Sequence, residues 1–504
     1  MVALAVSAIP EGLPIAMTVA LSVATQRMAQ RSVIVRKLTA VEGLGSCTCI
    51  ASDKTGTLTV NKQTVQRLFL YPDVHLRVTG EGYNDQGEVL DQAGGKVSAA
   101  LHEELHELAR VGVLCNEAAL QQEQGEWVYS GDAVDIAFLA LAHKVGQPPA
   151  DTVAAVELLN AVPFESQRKY AAQFFRQAGR VWVAVKGAAE AIAPMCSCDW
   201  DRSRVCGPFD PLKVEQETLR LSEEGFRVLA LAIGEVADKA GDSYNEADIQ
   251  GLAFLGLVGL IDPLRPEAKQ AIAVCRQAGV QVVMITGDHP ATALAIGQEL
   301  GIADSRSQLA SGADWEELMR LPEQQRWQKV RQFKVFARVA PLQKLEIVDA
   351  LMQSGHFVAV TGDGANDAPA LRRSNIGVAM GSGTDLAKDN ADIIVIDDNF
   401  SSIVAGVEEG RFAYANVRKV IWFLISNGLG LILFFTFNLL MGWSLPLVAV
   451  QLLWLNLVAN GLQDVGLAFE KGEQGVMQEP PRPPQEGIFN RAMLEKVLVG
   501  ATAQ

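Results

Sequence analysis

Three stretches of the chain are long, apolar and almost free of charged side chains. Residues 2–24 contain one ionisable side chain, Glu11; residues 420–440 contain none; and residues 444–469 contain one, Asp464. Because ~20 apolar residues span the hydrocarbon core of a bilayer, this pattern predicts three membrane helices.

Basic side chains flank these stretches in a consistent way. Arg27 follows the first stretch, Lys419 precedes the second, and Lys471 follows the third. Because basic residues stay on the cytoplasmic side of a membrane, we expect residues 28–416 and the chain after 470 to be cytoplasmic. The prediction is a multi-pass integral membrane protein, with the lipid bilayer of the plasma membrane as a partner.

Between the apolar stretches, short apolar runs alternate with helical segments. Continuous apolar strands of this kind are typical of a parallel sheet that is covered on both faces. The predicted strands are 45–52, 254–261, 280–286, 357–361, 376–380 and 392–396. A long, turn-rich segment separates the first strand from the others. We therefore predict an α/β Rossmann-like domain with a second domain inserted into it.

Composition and charge narrow the class of protein. The 504 residues include 43 basic and 58 acidic side chains, a net charge of −15, and 49% of them are hydrophobic. The hydrophobic content excludes a disordered chain. The acidic balance argues against a general nucleic-acid binder, which needs a basic surface, so we expect no nucleic-acid partner.

Polar clusters directly follow four of the predicted strands. They read DKTGTLT at 53–59, DPLR at 262–265, TGD at 286–288 and TGDGAND at 361–367. Because ligands bind at the carboxyl ends of parallel strands, we expect the clusters to converge. Carboxylates suit Mg²⁺, and glycines let backbone N–H groups approach phosphate. The clusters predict phosphoryl transfer with magnesium; helix caps and turns would explain one cluster but not four.

These segments resemble the P-type cation-transporting ATPases, and within them the type 2 group of calcium and sodium/potassium pumps. The resemblance rests on DKTGTLT at 53–59, TGDHPATA at 286–293, TGDGANDAPAL at 361–371, IPEGLP at 9–14 and KGAAE at 186–190. It implies a phosphorylation domain of the haloacid dehalogenase type, an inserted α+β nucleotide-binding domain and transmembrane helices. The implied activity is ATP-driven cation transport, calcium transport included, through an aspartyl-phosphate intermediate.

On this resemblance the chain divides into seven parts. The phosphorylation domain comprises 29–60 and 254–416, and the nucleotide-binding domain comprises 61–253. The other predicted parts are a broken membrane helix at 1–28, a membrane hairpin at 417–470, a cytoplasmic linker at 471–490 and the start of a further membrane helix at 491–504.

The resemblance also implies catalytic roles. Asp53 would be the nucleophile that takes the γ-phosphate of ATP, and Lys344 would neutralise the charge that develops in transfer. Asp53, Asp363 and the Thr55 carbonyl would hold Mg²⁺. The remaining site residues would be Thr57, Thr286, Gly287 and Asp288, which contact the phosphoryl group, and Asn366 and Asp367, which complete the site.

ATP would bind in the inserted domain. Phe164 would stack on adenine, although a position in the core is the commoner use of a phenylalanine. Asp135 stands where calcium pumps carry Glu. The other implied pocket residues are Lys169, Lys186, Gly187 and Arg227, the last of which would reach the β-phosphate.

The transported cation would bind within the membrane. Pro10 and Pro14 interrupt the first helix, and the carboxylate between them, Glu11, is a functional hypothesis by default. Broken helices with free carbonyls bind cations in transporters. The ligands implied are the carbonyls of Val6, Ser7 and Ile9 and the side chains of Glu11, Asn456, Asn460 and Asp464.

Two departures from calcium pumps leave the ion open. Asn460 replaces an Asp, and Gly428 and Leu431 stand where those pumps carry Asn and Glu. Fewer carboxylates neutralise a divalent ion less well, so two bound calcium ions are not expected. One divalent ion, a monovalent ion and a proton stay open, as does an obligate partner subunit.

Two other classes of protein are alternatives to a pump. A haloacid dehalogenase-type phosphohydrolase shares the sheet and the Asp nucleophile, but lacks the DKTGTLT heptad and the inserted domain. A regulatory ATP-binding membrane protein fits the absence of a TGE actuator loop. We expect a pump fragment without the actuator domain and the first and last membrane helices, which alone does not complete the transport cycle.

Overall fold

The computed structural model describes residues 13–165, 167–199, 209–239, 243–443, 447–473, 475–483, 486 and 491–503. Its strands are β1 Val33–Val35, β2 Cys49–Asp53, β3 Thr64–Leu70, β4 Val74–Val78, β5 Val89–Asp91, β6 Ala119–Glu123, β7 Glu126–Ser130, β8 Glu157–Val162, β9 Tyr170–Gln177, β10 Arg180–Gly187, β11 Cys196–Asp199, β12 Arg227–Val236, β13 Leu252–Ile261, β14 Gln281–Ile285, β15 Leu309–Ser311, β16 Val335–Ala337, β17 Val358–Gly362, β18 Ile376–Met380 and β19 Ile393–Val395. Its α-helices are α1 Leu13–Gln30, α2 Thr39–Gly45, α3 Ala99–Leu114, α4 Ala133–Lys144, α5 Pro149–Ala154, α6 Ala189–Ile192, α7 Pro211–Glu223, α8 Ala268–Gln277, α9 Pro290–Glu299, α10 Gly312–Met319, α11 Glu323–Val330, α12 Pro341–Gln353, α13 Ala368–Arg373, α14 Asp385–Asn390, α15 Phe400–Leu440, α16 Ala449–Trp454, α17 Gly461–Ala468 and α18 Arg491–Ala503.

The chain divides into two compact units. One comprises residues 1–58, 265–290 and 297–504, and the other comprises residues 59–264 and 291–296. Each unit has its own sheet, so each is described by itself.

The first unit contains an eight-stranded sheet in the order β1-β19-β18-β17-β2-β14-β16-β15. All neighbours are parallel except β1 and β19. The central strands are fully buried: Ala51, Val283 and Val360 share one core with residues of α12 such as Ile347. The predicted α/β Rossmann-like class is confirmed, and β2 lies between β14 and β17, so that all three strands end at one edge.

The second unit contains a mostly antiparallel sheet in the order β5-β4-β3-β13-β12-β10-β9-β8, with β11 parallel to β13. Helices α3 and α4 cover one face, where Leu108 and Phe138 are buried with Val258. A second core, with Phe174 and Phe254, covers the other face. This unit is the α+β insert.

The structure corrects the prediction for residues 254–261. They were assigned to the parallel sheet, but β13 is the antiparallel neighbour of β3 and β12 in the second unit. Its residues alternate between two cores, Leu257 on one face and Val258 on the other, so both faces are buried. A central antiparallel strand that is covered on both faces has the same continuous apolar sequence as a parallel strand, which explains the wrong prediction. Because β13 belongs to the second unit, the inserted unit is longer than the predicted 61–253.

In the described part of the chain, one helix is long and apolar enough to cross a membrane, the 41-residue α15. It begins at Phe400, well before the predicted membrane boundary at 417. The predicted spans at 2–24 and 444–469 stay predictions; their described parts are α1 and the helical segment 449–468. Residues of these helices and of α18 pack together in one cluster, which contains Ala20, Val417, Ile421, Ala468, Met493 and Val497.

The first turns of α15 pack directly on α2, immediately upstream of β2. A Cβ atom added at Gly410 would lie 2.5 Å from the Val41 carbonyl oxygen and 2.6 Å from the Gly45 nitrogen. A Cβ atom at Gly45 would meet the Gly410 backbone at 2.4 Å. The two backbones therefore touch, and only glycine fits at either position.

Two arginines hold the linker after α17 against this unit. Buried Arg411 donates to the carbonyl oxygens of Val476 and Glu479, each at 2.8 Å. Arg482 donates to the Glu42 carboxylate at 2.9 Å and lies 3.8 Å from the ring centroid of Tyr414. Backbone carbonyls thus pair with both terminal nitrogens of a buried guanidinium, while Arg411 Nε has no hydrogen-bond partner among the described residues.

The glycine contact generates a prediction about stability. Gly410→Ala should lower the free energy of unfolding by about 1–3 kcal/mol, because the added methyl group must push two packed backbones apart. Thermal unfolding in detergent, followed by circular dichroism, measures the effect. Gly466→Ala is the matched control, since no described atom lies within 4 Å of its added Cβ. Equal melting temperatures for Gly410→Ala and the wild type would contradict the contact.

Candidate active site

Asp53 is the last residue of β2, the central strand of the parallel sheet. Its backbone N–H donates to Thr361 Oγ1 at 3.1 Å, and its carboxylate accepts from the Thr55 N–H at 3.3 Å. The chain then turns sharply, with Gly56 at φ 71°. This left-handed conformation favours glycine, so the local sequence turns the chain away from the strand and leaves the carboxylate at the sheet edge.

Lys344 connects the ends of two strands. It lies in the first turns of α12, is buried, and donates from Nζ to Asp53 Oδ2 at 2.8 Å and to Asp367 Oδ1 at 2.7 Å. Burial alone would lower the pKa of Lys344, but the two carboxylates outweigh burial and raise this pKa above its ordinary value. The ammonium is therefore charged, and it neutralises two acids at once.

The loop after β17 carries Asp367 and a third carboxylate, that of Asp363. Asp367 Oδ2 accepts from the N–H groups of Asp363 and Gly364 at 3.1 and 3.0 Å, which fixes the loop. Burial, with the nearby charges of Asp53 and Asp367, raises the pKa of Asp363 to about 6. The site therefore holds more negative charge than Lys344 compensates.

The loop after β14 contains three of the residues predicted to contact phosphate, Thr286, Gly287 and Asp288. Thr286 is buried, and its Oγ1 accepts from the Asp288 N–H at 3.1 Å. Asp288 pairs with Lys54, whose Nζ lies 2.9 Å from Oδ2. Thr57 is also buried, and its hydroxyl has no hydrogen-bond partner among the described residues. Gly287 lies between Thr286 and Asp288, with open space where a side chain would be.

The residues present fit a magnesium ion. Among the described residues, no three His, Cys, Asp or Glu side chains converge on one metal position. Mg²⁺ does not need them, because it usually takes one or two carboxylates and completes its shell with water and substrate phosphates. Asp53 and Asp363 would supply that pair, with the Thr55 carbonyl as a further oxygen ligand, and the pKa of Asp363 is raised by burial and by the nearby charges of Asp53 and Asp367. Asn366 is exposed beside them.

The predicted nucleotide residues lie in the second unit, several of them at the paired ends of β9 and β10. Buried Lys186 forms an ion pair with Asp135 at 2.6 Å. A Cβ atom at Gly187 would lie 2.4 Å from the Lys169 carbonyl oxygen, so the backbones are in close contact there. Phe164 is 57% exposed, which excludes the alternative of a core phenylalanine. The sixth predicted residue of this set, Arg227, is exposed at the start of β12, the neighbour of β10.

The predicted cation ligands are only partly described. Val6, Ser7, Ile9 and Glu11 lie outside the described residues, as does the side chain of Asn456. Asp464 is 0% exposed, and neither carboxylate oxygen has a hydrogen-bond partner among the described residues. Asn460 is buried and accepts from Asn427 Nδ2 at 3.3 Å. A π-helical turn at Leu455–Asn460 joins α16 to α17, so the backbone between Asn456 and Asn460 is not a regular α-helix.

Comparison with known proteins gives three family matches along the chain. Residues 104–267 match the cytoplasmic domain N of P-type ATPases, residues 345–406 match haloacid dehalogenase-like hydrolases, and residues 444–504 match the C-terminus of cation-transporting ATPases. The hydrolase match alone would fit a haloacid dehalogenase-type phosphohydrolase as well as a P-type ATPase. The match to domain N favours the P-type ATPase.

Similar whole proteins agree with these matches. The chain is 41% identical to a cation-transporting ATPase of Synechocystis, 40% identical to a calcium-transporting ATPase of Bacillus subtilis and 37% identical to the calcium-transporting ATPase type 2C member 1 of Pongo abelii, over 99% of its own length each time. The chain belongs to the P-type cation-transporting ATPases. It spans about half the length of these relatives: 55%, 56% and 53% of them.

Two residues of this P-type ATPase site were not assigned from the sequence. Lys54 is buried beside Asp288, and Thr361 fixes the Asp53 backbone. Both lie inside the quoted motifs, and a lysine directly after the candidate nucleophile was the available signal. Asn427, the hydrogen-bond partner of Asn460, was also not assigned from the sequence. The available signal was an amide side chain in an otherwise apolar run.

The electrostatics of this P-type ATPase predict a pH-dependent effect. In EDTA at about pH 7.5, Asp363→Asn should raise the melting temperature, because ionising a carboxyl whose folded-state pKa is raised costs stability. The pKa rises from 3.8 to about 6, so the cost grows as pH increases through this range and the gain should narrow at about pH 5.

Magnesium supplies the complementary measurement. Added Mg²⁺ should raise the melting temperature of the wild type and leave that of Asp363→Asn almost unchanged. Asp304→Asn, an exposed change away from the site, is the control and should respond as the wild type does. If Asp363→Asn raised the melting temperature in EDTA by the same amount at about pH 7.5 and about pH 5, the raised pKa of Asp363 would be contradicted.

Proposed function

We propose that this chain is the phosphorylation and nucleotide-binding part, with part of the membrane domain, of a pump that uses ATP to move a cation across a membrane. The observation that carries the proposal is the Lys344 ammonium between Asp53 and Asp367, at 2.8 and 2.7 Å. The names of the relatives, cation- and calcium-transporting ATPases, support the same activity.

The chemical step is transfer of the γ-phosphoryl group from ATP to Asp53. A carboxylate oxygen of Asp53 forms the new bond to phosphorus, the bond to the β,γ-bridging oxygen breaks, and ADP leaves with that bond's electron pair. Lys344 orients Asp53 and offsets the negative charge that accumulates as the phosphoryl group arrives. The Thr57 hydroxyl and the Gly287 backbone face the same edge and offer donors to phosphate oxygens. Bound Mg²⁺ would supply additional positive charge to these oxygens.

Nucleotide binding is proposed for the second unit. The exposed ring of Phe164 offers a face for adenine, and Lys186, held by Asp135, offers a buried positive charge. Lys169 and Arg227 are exposed at the starts of β9 and β12, which flank β10 on either side, and offer positive charge to the phosphates.

The cation is proposed to bind between the membrane helices, with Glu11 and Asp464 as the acidic ligands. A carboxylate buried in a membrane protein without a partner is costly and indicates a functional position. Asn460 and Asn427 supply amide oxygens but no charge. The proposal is one bound ion at a site with few carboxylates, with calcium, another divalent ion, a monovalent ion and a proton as the candidates.

Phosphorylation is testable with γ-labelled ATP on the 504-residue chain in membranes. The wild type should take up label in an acid-stable, hydroxylamine-sensitive bond, which is the signature of an acyl phosphate, and Asp53→Asn should take up none. Asp304→Asn should label as the wild type does. Label in Asp53→Asn at the wild-type level, or a wild type without label, would refute the assignment.

The ion is testable by titrating cations against phosphoenzyme formation. One low-charge site predicts a Hill coefficient of about 1, and Asp464→Asn should shift the half-saturating concentration upward without abolishing ATP binding. Asp385→Asn, an exposed change in α14, serves as control. Stimulation by calcium alone with a Hill coefficient near 2 would overturn the single-ion proposal.

A further inference from the structure

The second unit contains a cavity that none of the proposed functions uses. Its volume is ≈ 350 Å³, and its lining includes Lys62, Tyr83, Trp127, Tyr129 and Glu81. This volume falls in the range of small-molecule sites, which are mostly apolar and aromatic with a few polar groups. Neither the predicted nucleotide residues nor the phosphorylation site contribute to the lining.

The walls of the cavity are fixed by contacts behind them. Tyr83 is buried, packs edge-on against Tyr129 with ring centroids 4.9 Å apart, and donates its hydroxyl to the Ala133 carbonyl at 3.4 Å. Trp127 packs edge-on against His143, also at 4.9 Å. The rings therefore hold their positions without a ligand, and a ligand would lose little free energy to ordering them.

Lys62 brings a positive charge to the aromatic walls. Its backbone N–H donates to Asp262 Oδ1 at 3.1 Å, which fixes its position in the chain. Its Nζ lies 5.8 Å from the Tyr83 ring centroid and 5.6 Å from that of Tyr129. Among the described residues no carboxylate, Glu81 included, lies within ion-pair distance of this ammonium. The ammonium lies over the faces of the two tyrosine rings. This cation–π interaction is weaker than an ion pair, so the ammonium stays available to an anion.

We propose that this cavity binds a planar aromatic molecule with an anionic substituent. The ring would stack on Tyr129 and Trp127, and the anionic group would pair with the Lys62 ammonium. A stacked ring and a charge-assisted hydrogen bond are the two interactions that the lining offers together. The inference does not depend on the proposed pump activity, because it rests on the second unit alone.

The probe for the test is 2-naphthoate, a flat bicyclic ring with one carboxylate. Binding to the whole chain in lipid nanodiscs, measured by titration calorimetry against empty nanodiscs, should be saturable. Lys62→Gln should weaken it by about tenfold or more, as loss of a hydrogen bond to a charged group does. Lys62→Arg should retain it. Lys96→Gln, an exposed lysine of the same unit, is the control and should leave the affinity within about twofold of wild type, since no interaction of the proposed pocket is lost.

Two further probes separate the ring from the charge. Neutral 2-naphthamide should bind the wild type and Lys62→Gln alike, and Tyr129→Ala should weaken both naphthalene probes. Cyclohexanecarboxylate, an anion without an aromatic ring, should bind more weakly than 2-naphthoate. Saturating ATP should not displace 2-naphthoate. Non-saturable binding, equal affinity in Lys62→Gln, or displacement by ATP would each overturn the proposal, and thermal melting of every variant checks that it is folded.

Discussion

The site depends on one ammonium group placed between two carboxylates. Asp53 ends β2 and Asp367 follows β17, and these adjacent strands would bring two negative charges together at one sheet edge. Lys344 reaches both from α12 and is itself buried, so each member of the triad is tolerable only because the others are present. The strand order, the loop fixed by Asp367 and the position of α12 all serve this contact. Asp363 adds a further carboxylate beside this triad, at the position proposed for a magnesium ion.

The same unit extends from this site towards the membrane through packed backbone. The glycine contact between α2 and α15 and the arginines that hold the linker after α17 all converge on the chain just before β2. Coupling between distant sites requires an element that both sites bias. The segment from α1 through α2 to Asp53 is continuous with both, which makes it the structural candidate for this connection.

The features that depend on local sequence patterns could be predicted from the sequence. The parallel strands, the turn after Asp53 and the convergence of three polar clusters follow from apolar runs and from Gly, Asp and Thr at strand ends. Sequence reasoning was wrong about β13, because burial on two faces leaves the same pattern in either sheet, and so the cluster beginning at Asp262 lies in the other unit. It could not have found the partners of Lys54 or Arg411, since these depend on residues far away in sequence. The π turn at Leu455–Asn460 had no signal in an apolar run that also suits a regular helix.

The length of α15 has a mechanical consequence. At 41 residues it is ~60 Å long, and near one end a glycine contact packs its backbone directly against that of α2. A rigid rod of that length acts as a lever: a tilt of ~5° at the anchored end displaces the far end by ~5 Å, about one helical turn. A small repacking where α15 meets α2 would thus become a larger displacement at the far end of the helix.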